Sequence, residues 1–205
     1  MKKAMLYIHG KGGNHLEAEG YKKNCIGYDM IGVDYKDDFP WIVESQIQSV
    51  YETVQRKYDQ ISVIANSIGA YFAMHTLQNC KIENAFFISP VLNMEKLILD
   101  MMRWADVSER ELCENGEIAT DFGETLSWKY LCFVREHPIE WKIPTAILYA
   151  QKDNLTSRQT VDEFVSGHDA TLTVMEDGEH WFHTEEQLMF LDHWMKKAIS
   201  TPDIG

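Results

Sequence analysis

No stretch of this 205-residue sequence is apolar for long enough to span a bilayer, which takes about 20 residues. Basic residues are scarce. There are 19 Lys and Arg against 32 Asp and Glu, a formal net charge of −13. A nucleic-acid partner needs clustered Lys and Arg to neutralise phosphates, so this balance argues against one, and equally against docking on anionic lipid. Acidity of this size instead keeps a protein from self-associating. No secretory leader is visible either. Lys2 and Lys3 imitate a charged start, but the apolar run of residues 4–8 is too short and meets His9, Gly10 and Lys11 at once. Cys25, Cys80, Cys113 and Cys132 form no CxxC pair and no zinc-ligand spacing. They read as reduced, mostly buried thiols of a reducing compartment, which points to the cytoplasm. Internal repeats and low-complexity segments are absent.

Hydrophobic residues make up 45% of the chain and aromatics 12%, enough for one sizeable core. Apolar runs at residues 4–8, 30–35, 61–65, 85–89, 145–150 and 172–175 end in turn signals and mostly lack polar alternation. That is the pattern of parallel strands covered on both faces. Helical segments lie between them. Residues 40–58 carry a stripe of Trp41, Ile47, Val50, Val54 and Tyr58, and residues 67–78 are small or apolar nearly all round, as in a buried helix. Residues 157–165 and 185–199 complete the set, the last opened by Thr184 as cap with Glu185, Glu186 and Gln187 behind it. Strand and helix in alternation predict an α/β domain with an open, doubly wound, mostly parallel sheet of about six strands. One connection, residues 91–144, is too long for a simple crossover and shows no clear strand. It is expected to be a helical cap inserted into the domain. Its Met101, Met102, Trp104, Trp128 and Trp141 either anchor it to the sheet or meet a ligand.

The sharpest local signal is the joint between the run at 61–65 and the small-residue helix: Ala65-Asn66-Ser67-Ile68-Gly69. Small residues two before and two after a serine allow a strained strand-to-helix turn, although a serine here can also be an ordinary helix cap. The joint resembles the nucleophile elbow G-x-S-x-G of the α/β-hydrolase superfamily, with Ala65 in place of the first glycine. The resemblance extends to His9-Gly10-Lys11-Gly12-Gly13, which looks like that superfamily's glycine-rich oxyanion loop, and spans residues 9 to 180 of the chain. Larger members carry two further strands before this loop, so a minimal version of the fold is expected.

What the resemblance implies is a small serine esterase or related hydrolase with Ser67 as nucleophile. Its partners follow in the superfamily's order of nucleophile, acid, histidine. Asp153, after the run at 145–150, falls where the acid belongs, unless it merely shapes its turn; Asp162 and Glu163 are rivals inside a helix. His180, after the run at 172–175, falls where the base belongs, and His183 is its rival. The oxyanion donors would be the backbone N–H groups of Lys11 and Ile68, with His9, Gly10, Gly12 and Gly69 supporting the loop and the elbow. His75, His168 and His193 read as packing or surface residues. Residues 10–13 lack the glycine spacing and Lys-Ser/Thr ending of a phosphate loop. His180, His183 and Glu179 make a poor metal set without a further ligand cluster. The expected partner is a small-molecule acyl substrate, with no metal and no organic cofactor. A thioesterase, an amidase or peptidase, a carbon–carbon bond hydrolase and a non-catalytic ligand-binding protein of the same fold remain alternatives.

Overall fold

The apolar runs become strands, in chain order β1 (Lys3–Ile8), β2 (Asp29–Gly32), β3 (Gln60–Asn66), β4 (Ala85–Ile88), β5 (Glu117–Ala119), β6 (Thr125–Ser127), β7 (Thr145–Ala150) and β8 (Ala170–Met175). The helices are α1 (Ala18–Tyr21), α2 (Pro40–Gln55), α3 (Ile68–Leu77), α4 (Met94–Trp104), α5 (Glu109–Asn115), α6 (Trp128–Glu136), α7 (Arg158–Gly167) and α8 (Glu185–Ser200), with a 3-10 turn at His15–Glu17. This computed structural model describes residues 1–36 and 38–200.

Six strands form one parallel sheet in the order β2-β1-β3-β4-β7-β8. The strands alternate as a sheet buried on both faces requires. From β1, Met5 and Tyr7 join a buried cluster with Ile64, Phe86 and Leu148 of the sheet and Leu191, Trp194 and Met195 of α8. Leu6 and Ile8, also fully buried, point to the other face, where α3 lies against β1 and β3 and α2 packs on α3. Helix α3 is buried almost all round, from Gly69 to His75 and at Leu77. The run at 30–35 forms a shorter strand than its composition suggests. Val33 still donates its N–H to the Tyr7 carbonyl, but β1 ends at Ile8, so the edge strand has no partner beyond that point. Thr184 caps α8 as expected, its hydroxyl accepting from the Gln187 N–H at 3.2 Å.

The strand order places the site. From β1 the chain moves outward to β2, then returns to the other side of β1 as β3. Neighbouring strands whose connections leave in opposite directions open a crevice at their carboxyl ends. Those ends are His9, after β1, and Ser67, after β3.

The chain divides into two compact units, Met1–Leu92 with the chain from Trp141 onward, and Asn93–Glu140. The second unit holds α4, α5 and α6. Arg135 ties them together by donating to Glu95 at 2.7 Å and to both carboxylate oxygens of Glu109 at 2.8 and 2.9 Å. It also contains an antiparallel hairpin of β5 and β6, in an interval whose sequence shows no strand. Three-residue strands are too short to reveal an alternation, and the turn depends on Gly123 at φ 86. Trp141 belongs to the first unit. It is buried, its indole N–H donates to Thr145 Oγ1 at 2.8 Å and its ring packs on Phe87. The thiols correct one expectation. Only Cys25 is buried, Cys80 and Cys132 are half-buried and Cys113 is exposed, because Leu112 rather than Cys113 supplies the inward face of α5. No helix among the described residues is long and apolar enough to cross a membrane.

Candidate functional site

Ser67 stands between β3 and α3 at φ 51, ψ −122, a backbone region that costs a residue with a side chain about 1–3 kcal/mol. Hydrogen bonds hold it there. Its N–H donates to the Ile88 carbonyl at 3.0 Å, and its carbonyl accepts from Ala70 at 3.1 Å and Val91 at 3.0 Å. Its hydroxyl makes no capping bond to α3, so the role of ordinary helix cap is not the one it plays. Close packing explains the small residues around it. A Cβ on Gly69 would lie 2.3 Å from the His9 carbonyl oxygen and 2.5 Å from that of Ile8. Ala65 is fully buried, and its methyl is accommodated. A Cβ on Gly10 would come to 3.2 Å from Ser67 Cβ and 3.3 Å from the Asn66 carbonyl, so the glycine loop runs directly beside the serine.

Asp153 follows β7, and its two carboxylate oxygens have separate tasks. Oδ1 accepts from the N–H groups of Leu155 at 2.8 Å and Thr156 at 3.0 Å, which shapes the turn. Oδ2 lies 2.7 Å from His180 Nδ1. His180 follows β8, and its Nε2 lies 2.8 Å from Ser67 Oγ. A carboxylate only accepts, so Nδ1 carries a proton and donates; in the neutral ring Nε2 is then left to accept from the serine hydroxyl. The Asp153 side chain is 0% exposed and that of His180 7%. Serine, imidazole and carboxylate thus form one hydrogen-bonded line.

The rivals lie elsewhere. His183 is exposed, with Nδ1 bonded to the Trp181 carbonyl at 2.7 Å and Nε2 3.5 Å from Glu179. Asp162 pairs with Arg158 and Glu163 accepts from Gln159, both along α7. His193 is exposed on α8; His168 bonds the Phe164 carbonyl and stacks on its ring. His75 is buried between α2 and α3, 3.5 Å from Glu44. Among the described residues, no group of three His, Cys, Asp or Glu side chains is arranged to hold a metal ion.

The loop after β1 is braced from below. His9 Nδ1 lies 2.8 Å from the Gly10 carbonyl. Its ring stacks on Tyr35 with centroids 3.9 Å apart, and the Tyr35 hydroxyl donates to the His9 carbonyl. Gly12 takes φ 73, and Gly13 donates to the Gly10 carbonyl at 3.0 Å. The Lys11 ammonium lies 3.7 Å from Asp38. Ile68 opens α3, where a backbone N–H has no acceptor within the helix and the helix dipole favours negative charge. A cavity of about 100 Å³, lined in part by Glu83, Thr145 and Asp169, opens at the opposite ends of β4 and β7.

Several supporting residues carry no sequence signal. Tyr35 looks like the last residue of a strand. Thr156, whose hydroxyl donates to the Pro90 carbonyl at 2.9 Å, and Tyr149, which donates to the Thr156 carbonyl at 3.0 Å, look like ordinary turn and core residues. The partners of Tyr35 and Thr156 are far away in the chain, and no local pattern identifies these residues.

Against known proteins, residues 4–192 match the model of a family described as Uncharacterised protein family (UPF0227). No curated protein matches the sequence. Among solved structures, Est1E from Butyrivibrio proteoclasticus is similar, with 16% identity, a TM-score of 0.76 and coverage of 97% of this chain and 87% of that one. Mouse alpha/beta hydrolase domain-containing protein 10 gives 15% identity, a TM-score of 0.78 and coverage of 96% and 89%. The peroxisomal alpha-beta-hydrolase Lpx1 from Saccharomyces cerevisiae gives 12%, 0.68, and 100% and 80%. At these identities the likeness concerns the fold: a parallel sheet with flanking helices of the α/β-hydrolase type.

Proposed function

The chain belongs to the UPF0227 family and has the α/β-hydrolase fold, and from that premise we propose that it is a serine hydrolase cleaving an ester or related acyl bond through an acyl-enzyme. One observation carries this reading: the unbroken line from Ser67 Oγ through His180 to the buried Asp153 carboxylate. A serine hydroxyl is a poor nucleophile until a base takes its proton. His180 Nε2 accepts that proton as Ser67 Oγ attacks the substrate carbonyl, and Asp153 stabilises the imidazolium and holds its tautomer. The developing oxyanion meets the N–H groups of Ile68 and Lys11; one such donor is worth about 2.7–4 kcal/mol of barrier. His180 then returns the proton to the leaving group, and water releases the acyl group. The free thiols and the acidic composition favour a cytoplasmic setting.

A fluorophosphonate probe tests the reading most cheaply. It should label the native protein and leave Ser67→Ala unlabelled. Turnover of p-nitrophenyl esters should fall by a factor on the order of 10⁶ in Ser67→Ala, and comparably in His180→Ala, while His183→Ala keeps it. A native protein that resists the probe, or a Ser67→Ala variant that keeps its esterase activity, would count decisively against the assignment. Thioesters, amides and a ferulate ester belong in the panel, the last because Est1E has been seen with ferulic acid bound.

A further inference from the structure

Tyr7 brings a phenol into an otherwise apolar cluster, fully buried from β1. A buried hydroxyl needs a partner, and this one finds it in Glu17. Its O–H donates to Glu17 Oε2 at 2.6 Å. Burial above all, reinforced by Tyr21 and Glu17, pushes the phenol's pKa far above its ordinary range, so it stays a neutral donor. Glu17 in turn reaches the glycine loop. Its Oε1 accepts from the Asn14 N–H at 3.2 Å, and a Cβ on Gly13 would lie 2.9 and 3.1 Å from its two carboxylate oxygens. Gly13 closes its turn on the Gly10 carbonyl, and Gly10 lies against Ser67. The contacts run from Tyr7 through Glu17 and the loop to Ser67.

We propose that Tyr7 and Glu17 are positioning residues that set the glycine loop, residues 10–13, against Ser67, so that an oxyanion forming at the serine meets its backbone donors. This rests on the hydrolase reading above. Neither side chain touches the reacting atoms, so the pair acts through the loop. A misplacement of about 1 Å in such an arrangement costs on the order of 10² in rate.

The test is Tyr7→Phe, which keeps the ring and removes the hydroxyl, with Glu17→Gln and Glu17→Ala beside it. For p-nitrophenyl acetate, kcat should fall roughly 10–100-fold in Tyr7→Phe with KM nearly unchanged. Affinity for a boronic acid, which becomes a tetrahedral anion on the serine, should fall by the same factor. Glu17→Gln, which keeps an acceptor for the Asn14 N–H, should retain more activity than Glu17→Ala. Backbone amides of residues 10–17 should exchange hydrogen faster in Tyr7→Phe, a readout that needs no turnover. Should Tyr7→Phe fail to fold, Glu17→Ala carries the same measurements. Faster loop exchange in a protein whose native form cleaves no acyl substrate would sink the hydrolase reading and leave the tie standing. Native kcat in Tyr7→Phe, even with a lowered melting temperature, or native exchange in the loop, overturns the proposal.

Discussion

At Ser67 the backbone conformation and the chemistry demand different things of one residue. The φ of 51 and ψ of −122 suit glycine, while the proposed nucleophilic attack needs a hydroxyl. Hydrogen bonds to the Ile88 carbonyl and from the N–H groups of Ala70 and Val91 keep the residue in place against that strain. Ser67→Gly and Ser67→Ala both remove the hydroxyl, but only glycine relieves the backbone. Relief of about 1–3 kcal/mol, less the extra unfolded-state freedom of glycine, about 0.5–1 kcal/mol, leaves Ser67→Gly more stable than Ser67→Ala by about 1 kcal/mol. In a chain of this size that is about 2–4 °C in melting temperature, measurable by calorimetry on the two inactive variants. Equal melting temperatures would mean that the elbow stores no strain. Asp153 illustrates the same economy: one carboxylate both shapes its turn and orients the imidazole.

The loops after β7 and β8 are stitched to each other beside the site. Gln151 and Lys152 donate their N–H groups to the carbonyls of Met175 at 3.0 Å and Gly178 at 2.8 Å, and the Asp177 N–H donates to Gln151 Oε1 at 3.0 Å. Lys152 and Asp177 add an exposed ion pair at 2.8 Å. These contacts fix the acid-bearing loop relative to the histidine-bearing loop. Gln151→Ala should therefore lower kcat by roughly tenfold while costing less than about 1 kcal/mol of stability; an unaltered kcat would show that the backbone bonds suffice. Helix α8 is tied down elsewhere, where Asp192 accepts from Asn24 at 2.9 Å and pairs with Lys23. Burial raises the Asp192 carboxyl, but Lys23 and Asn24 outweigh it and hold its pKa below the ordinary value. A depressed carboxylate stabilises the fold above its unfolded pKa, and that contribution disappears as pH falls through the folded value. The native protein should lose a stability advantage of up to about 1 kcal/mol over Asp192→Asn on acidification from about pH 5 to pH 2. Melting curves of the two proteins that stay parallel through that range would contradict it.

For the whole molecule the thiols offer a graded probe of unfolding. Cys113 is exposed, whereas burial pushes the Cys25 thiol up to about 12 and withholds the reactive thiolate. Iodoacetamide should modify Cys113 first in native buffer and reach Cys25 only as denaturant opens the core, in step with global unfolding; labelling of Cys25 at the rate of Cys113 would refute the packing described. At this scale the division between sequence and structure is also clear. The six strands of the parallel sheet and the long helices packed on it were legible because periodicity and turn residues act between neighbours in the chain; β5 and β6 were not. So were the glycine loop and the serine turn, whose small residues stand at fixed local spacing; the acid and the histidine followed from the chain order that the resemblance to the α/β-hydrolase superfamily implies. The place of His180 on its loop already favoured it over His183, but its contacts with Ser67 and Asp153, and the hydrogen bonds of Tyr7, Tyr35 and Thr156, belong to the tertiary structure alone. Ser67 and His180 lie 113 positions apart, and what brings them within a hydrogen bond is the order and register of β3, β4, β7 and β8. Strand order is set by how the buried faces of all the elements fit together, a property of the packed whole that no local spacing encodes.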